Sequence, residues 1–375
     1  MVRMDYGALK TGVLVVGGGP AGLAAAIAAR LKGFEVTLAD CAQPPIDKAC
    51  GEGIMPDGVA ALRQLGVVIS PADSYPFRGI CFRGCGVSVA ADFPHGCGFG
   101  IRRTALHKVL SERAAEVGVS MLWNARVKCL ASETVSVNGR PVQCRWLIGA
   151  DGQNSHLRRR AGIDDSRRRD LRFGFRRHFR VKPWSDYVEV LWGEGCQIIV
   201  TPVSREEVCV GLISRNAQPR LDGEIPKFPY LVNRLRGAAP TSPERGSLTA
   251  NHSVRTVIRD RIALVGDASG SVGAITGEGL CLAFQQAICL AEALAQSNPA
   301  YYQAAHRRIT KLPAAMARLL LTMDKHASIR RRVLHGLASE PEIFERLLAL
   351  HLGALAPAGL GVSGMVNLGW RVLTA

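Results

Sequence analysis

Three glycines near the N-terminus have the spacing of a phosphate-binding turn. Gly17, Gly19 and Gly22 form a G-x-G-x-x-G pattern. In that pattern the first glycine permits a tight turn, the second lets a pyrophosphate approach the backbone, and the third lets a helix pack closely on a strand. Asp40 follows Gly22 by 18 residues, where a carboxylate can accept hydrogen bonds from an adenosine ribose. These residue types and spacings predict a dinucleotide site.

The elements around these residues come in the order that such a site needs. Residues 13–16 are predicted to be a buried parallel strand, residues 23–31 an Ala-rich helix and residues 34–39 a second strand. The phosphates would then lie on the free N–H groups at the positive end of the helix. The alternative is a glycine-rich turn with a structural role only. We favour the dinucleotide site because strand, glycines, helix, strand and acid follow in sequence.

Two further Gly–Asp turns follow predicted strands later in the chain. Asp151-Gly152 comes after a strand at 145–148, Gly266-Asp267 comes after a strand at 262–265, and a long apolar helix covers residues 278–295. Residues 121–130 also read as a strand, and blocks rich in β-type patterns occupy 67–99 and 171–213. This interleaving predicts one discontinuous α/β domain (8–70, 98–165 and 250–298) with an inserted antiparallel β-sheet domain (71–97 and 166–249). Residues 299–375 are predicted to form a C-terminal helical region.

Composition indicates an ordered protein with free thiols. The chain has 375 residues, of which 47% are hydrophobic, so that a large core can form. Its 11 cysteines are scattered without recurrent pairs, which favours a reducing, cytoplasmic compartment. Cys81, Cys85 and Cys97 are conceivable metal ligands, but the sequence has no CxxC pair or suitably spaced histidine, so we expect buried thiols and no metal site. No apolar run precedes the first predicted strand, so we expect no signal peptide.

The net charge is +16, and the densest basic patch is an arginine-rich segment, residues 156–180. Such a segment could attract an acidic carrier protein, an anionic membrane surface or a phosphorylated substrate. We favour the simpler interpretation that these arginines lie on solvated faces, and we expect no nucleic-acid partner. Residues 347–370 contain no Lys, Arg, Asp or Glu and are long enough to test as a membrane span. Five glycines and a proline interrupt them, so we expect a packed helical cap, with peripheral membrane contact left open.

The separated motifs together resemble flavoproteins of the para-hydroxybenzoate-hydroxylase fold, in the branch that contains geranylgeranyl reductases. The resemblance covers roughly residues 12–295 and implies a Rossmann-like FAD-binding domain. Besides the glycine fingerprint, Arg103 begins an R-x-x-L pattern that in the family meets the cofactor's pyrophosphate. Val127 lies where a backbone group faces the adenine. The sequences after Asp151-Gly152 and Gly266-Asp267 match the family's second and third fingerprints.

The resemblance also assigns residues to the flavin end of the cofactor. Asp267 can accept hydrogen bonds from ribityl hydroxyls, although a helix N-cap is the alternative role. Gly277 and Gly279 would let backbone N–H groups approach the pyrimidine edge, toward which the following helix directs its positive end. We further expect three residues to border the same cofactor: Ala21, Lys48 and Leu280.

Three residues are candidates for catalysis. Cys50 belongs to a Lys-Ala-Cys-Gly-Glu-Gly segment that resembles the reductases' Cys-Gly motif, and it either acts as a thiol donor or only lines the pocket. Glu52 and Glu278 are candidate proton donors if burial raises the pKa of either carboxyl, and the alternatives are a helix-start carboxylate or a surface residue. Gln197, Ile199 and Thr201 stand where the reductases carry aromatic residues, which leaves an isoprenoid substrate open.

These features lead to three functional hypotheses. The first is an FAD enzyme that takes hydride from NAD(P)H and reduces a C=C bond of a small hydrophobic substrate, isoprenoid- or polyketide-like. The second is a monooxygenase that hydroxylates an aromatic or polyketide-like ring with O2. The third is a flavin electron carrier with no small substrate. The sequence has no second dinucleotide fingerprint, so we expect NAD(P)H to visit the protein without a fold of its own.

Overall fold

A computed structural model describes residues 8–129, 135–163 and 169–355. Its strands are β1 (Leu9–Val16), β2 (Val36–Ala39), β3 (Gly53–Ile54), β4 (Ser74–Phe77), β5 (Gly79–Gly84), β6 (Val87–Asp92), β7 (Gly98–Ile101), β8 (Ser120–Leu122), β9 (Val127–Cys129), β10 (Val135–Val137), β11 (Arg140–Gly149), β12 (Arg169–Arg180), β13 (Tyr187–Trp192), β14 (Cys196–Ser204), β15 (Glu207–Ser214), β16 (Ala239–Pro240), β17 (Arg245–His252), β18 (Ile258–Arg259), β19 (Ile262–Leu264) and β20 (Ser271–Val272). Its α-helices are α1 (Pro20–Leu31), α2 (Pro56–Gln64), α3 (Arg103–Glu116), α4 (His156–Arg160), α5 (Leu221–Glu224), α6 (Pro229–Arg234), α7 (Gly279–Ala295), α8 (Pro299–Lys325), α9 (Ala327–Ser339) and α10 (Pro341–His351).

The first sheet is built around β1. Among the described residues it has the order β18-β19-β11-β1-β2-β8, with a β9–β10 hairpin attached to β11. β1 pairs in parallel with both β2 and β11. Val13 and Val15 belong to the core that includes α1 and α7, whereas Leu14 packs toward the opposite face. All three side chains are fully buried, as expected for a parallel strand covered on both faces.

The second sheet carries the order β20-β17-β12-β15-β14-β13-β5-β6, with β16 paired to β12. Most of its pairs are antiparallel, as predicted, but β5 joins β13 in parallel. One face packs on α5 and α6 through a separate apolar cluster. Strands β3, β7 and β4 form a small third sheet in that order.

The C-terminal region consists of helices in the described part of the chain. α8, α9 and α10 follow one another, and α9 and α10 pack against the β5–β6 edge of the second sheet. Of the apolar segment 347–370, residues 347–351 complete α10, and residues 356–370 lie outside the described ranges. Within those ranges we find no helix that combines the length and apolar character needed to cross a bilayer.

Some sequence-based expectations are wrong in detail. The single strand predicted at 121–130 is two strands, β8 and β9, because Asn124 takes a left-handed conformation between them and turns the chain (φ 53°); residue 130 lies outside the described ranges. The ten cysteines whose side chains are described are free thiols, but of the three expected to be buried only Cys81 is, since Cys85 is exposed and Cys97 is half-buried.

The arginine-rich segment is also less solvated than predicted. Arg158, Arg172 and Arg176 are buried, with 0%, 6% and 3% of their surface exposed. Arg172 donates to Asp324 over 2.8 Å, so a buried ion pair fastens β12 to α8. Each buried arginine has an acceptor that sequence spacing does not reveal, because the acceptors belong to distant parts of the chain.

Candidate cofactor and substrate site

The first turn requires glycine at two of its positions. Gly17 has a φ of +108°, and a Cβ atom there would lie 2.3 Å from the carbonyl oxygen of Ala150 on the neighbouring strand end. A Cβ atom on Gly22 would lie 1.7 Å from the carbonyl oxygen of Gly17. The close packing of α1 on β1 therefore depends on both glycines, and it points the free N–H groups of α1 toward the space beyond Gly19.

Asp40 lies beside this turn at the end of β2. Its Oδ2 accepts a hydrogen bond from the Gly18 N–H over 2.5 Å, and its Oδ1 accepts one from the Ala42 N–H over 2.7 Å. The carboxylate thus holds the glycine turn while remaining half-buried at the edge of the cavity described below. Its predicted contact with a ribose remains a prediction.

Arg103 faces the same turn from the start of α3. Its side chain is buried, and its Nη2 lies 3.7 Å from the Cβ position of Gly19. Burial lowers the pKa of Arg103, and its Nη1 has no hydrogen-bond partner in the described part of the chain. A buried guanidinium with an unpaired donor next to free helix N–H groups fits a pyrophosphate, which would supply the missing acceptors.

The second turn is joined to the third by a buried arginine. Asp151 Oδ2 accepts hydrogen bonds from the N–H groups of His156 (2.7 Å) and Leu157 (3.2 Å), which caps α4. From α4, Arg158 donates to the carbonyl oxygens of Gln153 (2.9 Å) and Ala268 (3.1 Å). Sequence reasoning did not select Arg158; the only signal was its position as the last residue of the second fingerprint.

The third turn presents Asp267 to the cavity. Gly266 has a φ of +59° and donates its N–H to Gln286 Oε1 on α7 over 2.8 Å. Asp267 is partly exposed and lies 3.8 Å from Lys48 Nζ. α7 begins at Gly279, so Asp267 does not cap that helix. Its carboxylate lines the cavity, and its predicted contact with ribityl hydroxyls remains a prediction.

His306 of α8 supports the third turn from behind. Ser269 Oγ donates to the carbonyl oxygen of Gly266, so the His306 Nε2–H, 3.0 Å away, donates to Ser269 Oγ. Burial lowers the pKa of His306 from 6.5 to about 4. The folded protein therefore holds this imidazole neutral at pH values where the unfolded chain protonates it.

We predict that His306 makes the protein sensitive to mild acid. Between pH 6.5 and 4 the unfolded state binds more protons, so the stabilisation is complete above pH 6.5 and is lost as the pH falls. The wild-type protein should lose about 2 kcal/mol more unfolding free energy than His306→Gln between pH 7 and pH 5, measured by urea denaturation. Glutamine keeps an N–H for Ser269 and does not titrate. Equal losses in the two proteins would contradict the assignment.

Cys50 and Glu52 lie in the segment before β3. Burial raises the pKa of the Cys50 thiol, which borders the cavity. Glu52 takes a left-handed backbone conformation (φ 60°), and its carboxylate is buried behind the segment. Its Oε1 accepts the N–H of Arg103 over 2.9 Å, and its Oε2 lies 2.6 Å from Nε2 of His178 on β12. Glu52 thus fastens the Cys50 segment to α3 and to the second sheet.

Glu52, His178 and Cys209 are the only group of potential metal ligands found within the described ranges. Arg176 Nε lies 3.7 Å from Glu52 Oε1, and its Nη1 lies 3.3 Å from His178 Nδ1. Burial raises the pKa of the Cys209 thiol well above its usual value. An adjacent guanidinium and a protonated thiol are unfavourable for a cation, so the group is a hydrogen-bonded anchor.

Glu278 is turned away from the cavity. It lies between Gly277 and Gly279, but its carboxylate contacts His351 at the end of α10, with 2.9 Å between Glu278 Oε1 and His351 Nε2. Burial raises the pKa of Glu278. Glu278 is not among the residues that line the cavity, so it lacks the direct access that its predicted role as a proton donor requires. His351, which sequence reasoning did not select, does line the cavity.

A cavity of about 2210 Å³ brings the predicted site together. The predicted residues that line it are Gly17, Gly19, Ala21, Asp40, Lys48, Cys50, Glu52, Arg103, Val127, Asp151, Gly152, Gly266, Asp267, Gly277, Gly279 and Leu280. Two predicted residues are not among those that line the cavity: Gly22, which packs against the first turn, and Glu278, which packs against α10. The rest of the wall is largely apolar and comes from two sources, the second sheet (Phe82, Val188, Val190 and Trp192) and the C-terminal helices (Leu320, Met323, Leu337 and Leu348).

Comparison with known proteins agrees with this geometry. Residues 10–228 match the family described as FAD binding domain. A menaquinone reductase of Mycobacterium tuberculosis is 30% identical over 295 residues, which cover 72% of this chain and 72% of that protein. Digeranylgeranylglycerophospholipid reductase 2 of Methanosphaera stadtmanae is 24% identical and covers 75% and 76% of the two chains. Rifampicin monooxygenase of Rhodococcus hoagii is 30% identical over 157 residues, 39% of this chain and 33% of that one.

Solved structures show the same fold at low identity. A flavoprotein/dehydrogenase from Cytophaga hutchinsonii superimposes with a TM-score of 0.83 over 97% of this chain and 98% of that one, at 18% identity. A geranylgeranyl bacteriochlorophyll reductase-like protein from Thermoplasma acidophilum has a TM-score of 0.73 over 96% and 100%, at 19% identity. The predicted fold class and the resemblance to this branch are confirmed. With the family match over more than half of its length, the protein belongs to the FAD-binding-domain family and is an FAD-dependent oxidoreductase.

Proposed function

We propose that the protein reduces a carbon–carbon double bond of a small hydrophobic substrate, with electrons that NAD(P)H supplies through FAD. The observation that supports this most is the cavity, which joins the three cofactor turns to a large apolar wall and has Cys50 among its lining residues. The relatives named as a menaquinone reductase and a digeranylgeranylglycerophospholipid reductase support it as well.

The cofactor turns would bind and orient FAD. The N-terminus of α1 and Arg103 would hold the pyrophosphate, and Asp267 would accept hydrogen bonds from the ribityl chain. When bound, FAD supplies the two-electron chemistry. The N-terminus of α7 would place positive potential at the edge of the ring system beside Gly277 and Gly279, which favours an anionic ligand there by about 1 kcal/mol.

The apolar wall would hold the substrate and exclude water. Val188 and Val190 alternate along β13 with Glu189 and Leu191, which are buried on the opposite face of the sheet. Val188 and Val190 line the cavity, as do Leu320 and Met323 of α8. Burying apolar surface contributes about 25 cal/mol for each Å² removed from water. A long hydrocarbon substrate would therefore gain affinity along this wall without a specific polar contact.

We assign the proton donor's role to Cys50. Desolvation raises the pKa of its thiol, so the group stays protonated at neutral pH and beside the cavity. A protonated, partly enclosed thiol can give its proton to the carbon that becomes electron-rich when the double bond is reduced. Glu52 fixes the position of this segment through its buried contacts with α3 and β12.

We predict that Cys50→Ala lowers turnover by about 100-fold while FAD stays bound, because loss of a positioned proton donor typically costs that much. Anaerobic NAD(P)H oxidation measures turnover, and visible absorbance measures FAD content. Cys144→Ala is the matched control, since burial also raises the pKa of that thiol on β11, which is not among the residues that line the cavity. If Cys50→Ala turned over at the wild-type rate, Cys50 would contribute only to packing.

Product analysis with and without oxygen tests the function itself. The holoenzyme is incubated with NAD(P)H and a panel of prenylated quinones, geranylgeranyl lipids and aromatic polyketides. Reduction of a double bond in the absence of O2 supports the proposal. A product that contains a new hydroxyl group and forms only with O2 would establish the monooxygenase alternative. If no compound accelerates NAD(P)H oxidation, an electron carrier becomes the better description.

A further inference from the structure

A histidine of the last described helix reaches the cavity beside the third cofactor turn. His351 is the final residue of α10 and lines the cavity, with 6% of its side chain exposed. Its Nε2 is 2.9 Å from Glu278 Oε1, and Glu278 stands between the two glycines assigned to the flavin's pyrimidine edge. The imidazole is thus held in one orientation by a carboxyl group of the cofactor turn.

The second nitrogen of this ring has no hydrogen-bond partner among the described residues. His351 Nδ1 is buried and makes no hydrogen bond to any part of the chain that the structure describes. Leaving a buried polar group unpaired costs about 1–3 kcal/mol. Because the ring borders the cavity, a ligand in the cavity is the natural source of the missing partner.

The surroundings favour a hydrogen on Nδ1. Two acidic groups face the ring, Glu278 from α7 and Asp57 from α2, and burial raises the pKa of both. The nearby Cys281 thiol also has its pKa raised and is neutral. When the His351–Glu278 pair holds two protons, the ring is either an imidazolium or a neutral ring that accepts the Glu278 O–H at Nε2. In both states Nδ1 carries a hydrogen and donates.

We propose that His351 is a substrate-binding residue whose Nδ1–H donates a hydrogen bond to a carbonyl oxygen conjugated with the double bond that is reduced. This inference rests on the proposed function and narrows its substrate class to unsaturated ketones and quinone-like rings that carry an apolar tail. An isolated double bond in a plain hydrocarbon offers no acceptor for this donor.

The reaction balances with the groups already named. Of the two carbons of the double bond, the one not attached to the carbonyl bound by His351 gains a hydride equivalent, whose two electrons come from NAD(P)H through FAD. The carbon next to the carbonyl gains the Cys50 proton, and the thiolate regains a proton from water. His351 transfers no proton; its hydrogen bond stabilises the negative charge that develops on the carbonyl oxygen. The apolar tail of the substrate lies along the wall formed by β13 and the C-terminal helices.

Equilibrium binding to the oxidised holoenzyme, without NAD(P)H, tests the inference. The two probes are a farnesylated naphthoquinone and the farnesylated naphthalene of the same skeleton without carbonyl groups, titrated by calorimetry. We expect the wild type to bind the quinone at least about tenfold more tightly than the hydrocarbon, since one good hydrogen bond to a buried donor is worth about that much.

His351→Phe should bind the two probes equally while retaining FAD, and His351→Leu is a second variant with the same expectation should the larger ring disturb α10. His351→Gln should keep part of the preference through its amide N–H. His326→Phe, an exposed histidine between α8 and α9, is the matched control and should behave as the wild type. An undiminished quinone preference in His351→Phe or His351→Leu, or no preference in the wild type, would overturn the inference. The anaerobic product assay judges the proposed function separately, because these titrations involve no turnover.

Discussion

Gly22→Ala is expected to yield a protein without FAD that unfolds at a much lower temperature than the wild type. The added Cβ atom would lie 1.7 Å from the Gly17 carbonyl oxygen and 3.2 Å from the Ala150 Cβ atom. The first neighbour is a backbone oxygen and the second belongs to a buried residue, so neither can give way easily. α1 would therefore have to move away from β1. We estimate a loss of about 3 kcal/mol or more in the free energy of unfolding, at the upper end of overpacking effects.

Gly223→Ala is the matched control for this prediction. It is the same substitution in a helix, α5, and no atom lies within 4 Å of the added Cβ position. This variant should keep its flavin absorbance and its melting temperature, with a small gain from the better helix propensity of alanine. A yellow Gly22→Ala protein with the wild-type melting temperature would contradict the geometry of the first turn.

Arg158→Met is expected to destabilise the protein by roughly 3 kcal/mol and to weaken FAD binding. The fully buried guanidinium donates to the carbonyl oxygens of Gln153 and Ala268, and methionine removes both of these buried hydrogen bonds. These carbonyls belong to the second and third cofactor turns. Loss of the arginine should therefore separate the two turns and lower both the melting temperature and the flavin content of the purified protein.

The neighbouring arginine provides a direct control. Arg159 lies on the same short helix but is exposed, and its contact is with His156 at the surface. Arg159→Met should change the unfolding free energy by less than about 0.5 kcal/mol. If both variants melted at the wild-type temperature and retained FAD, Arg158 would have no structural role of the kind described.

The cofactor turns could be predicted from the sequence because their determinants are local. The glycines of the first turn and Asp40 depend on backbone conformation and close packing, which leave a signature in residue type and spacing. The strands and helices around Gly17 and Gly266 were predicted for the same reason, since hydrophobic periodicity is a local property. The predicted residues therefore border one cavity in the structure, with only Gly22 and Glu278 set behind it.

The residues that were missed interact over long separations in the chain. His178 meets Glu52 across 126 residues, and Arg158 meets Ala268 across 110. A buried arginine and a solvated arginine look alike in a sequence, so composition alone favoured surface positions for the segment 156–180. The orientation of Glu278 toward His351 likewise depends on where α10 packs, and no local pattern specifies that position.

The parallel pairing of β5 with β13 has a consequence for how the chain assembles during synthesis. One edge of β5, residues 79–83, stays unpaired until residues 187–191 of β13 have been synthesised. The first sheet is also incomplete until β19 joins β11, and the third turn needs Gln286 from α7. A ribosome must therefore release the chain through Gln286 before a nascent chain can capture its flavin, and such long-range pairing makes folding slow. Supplying riboflavin and lowering the growth temperature during expression should matter more for this protein than for a flavoprotein with a continuous nucleotide fold.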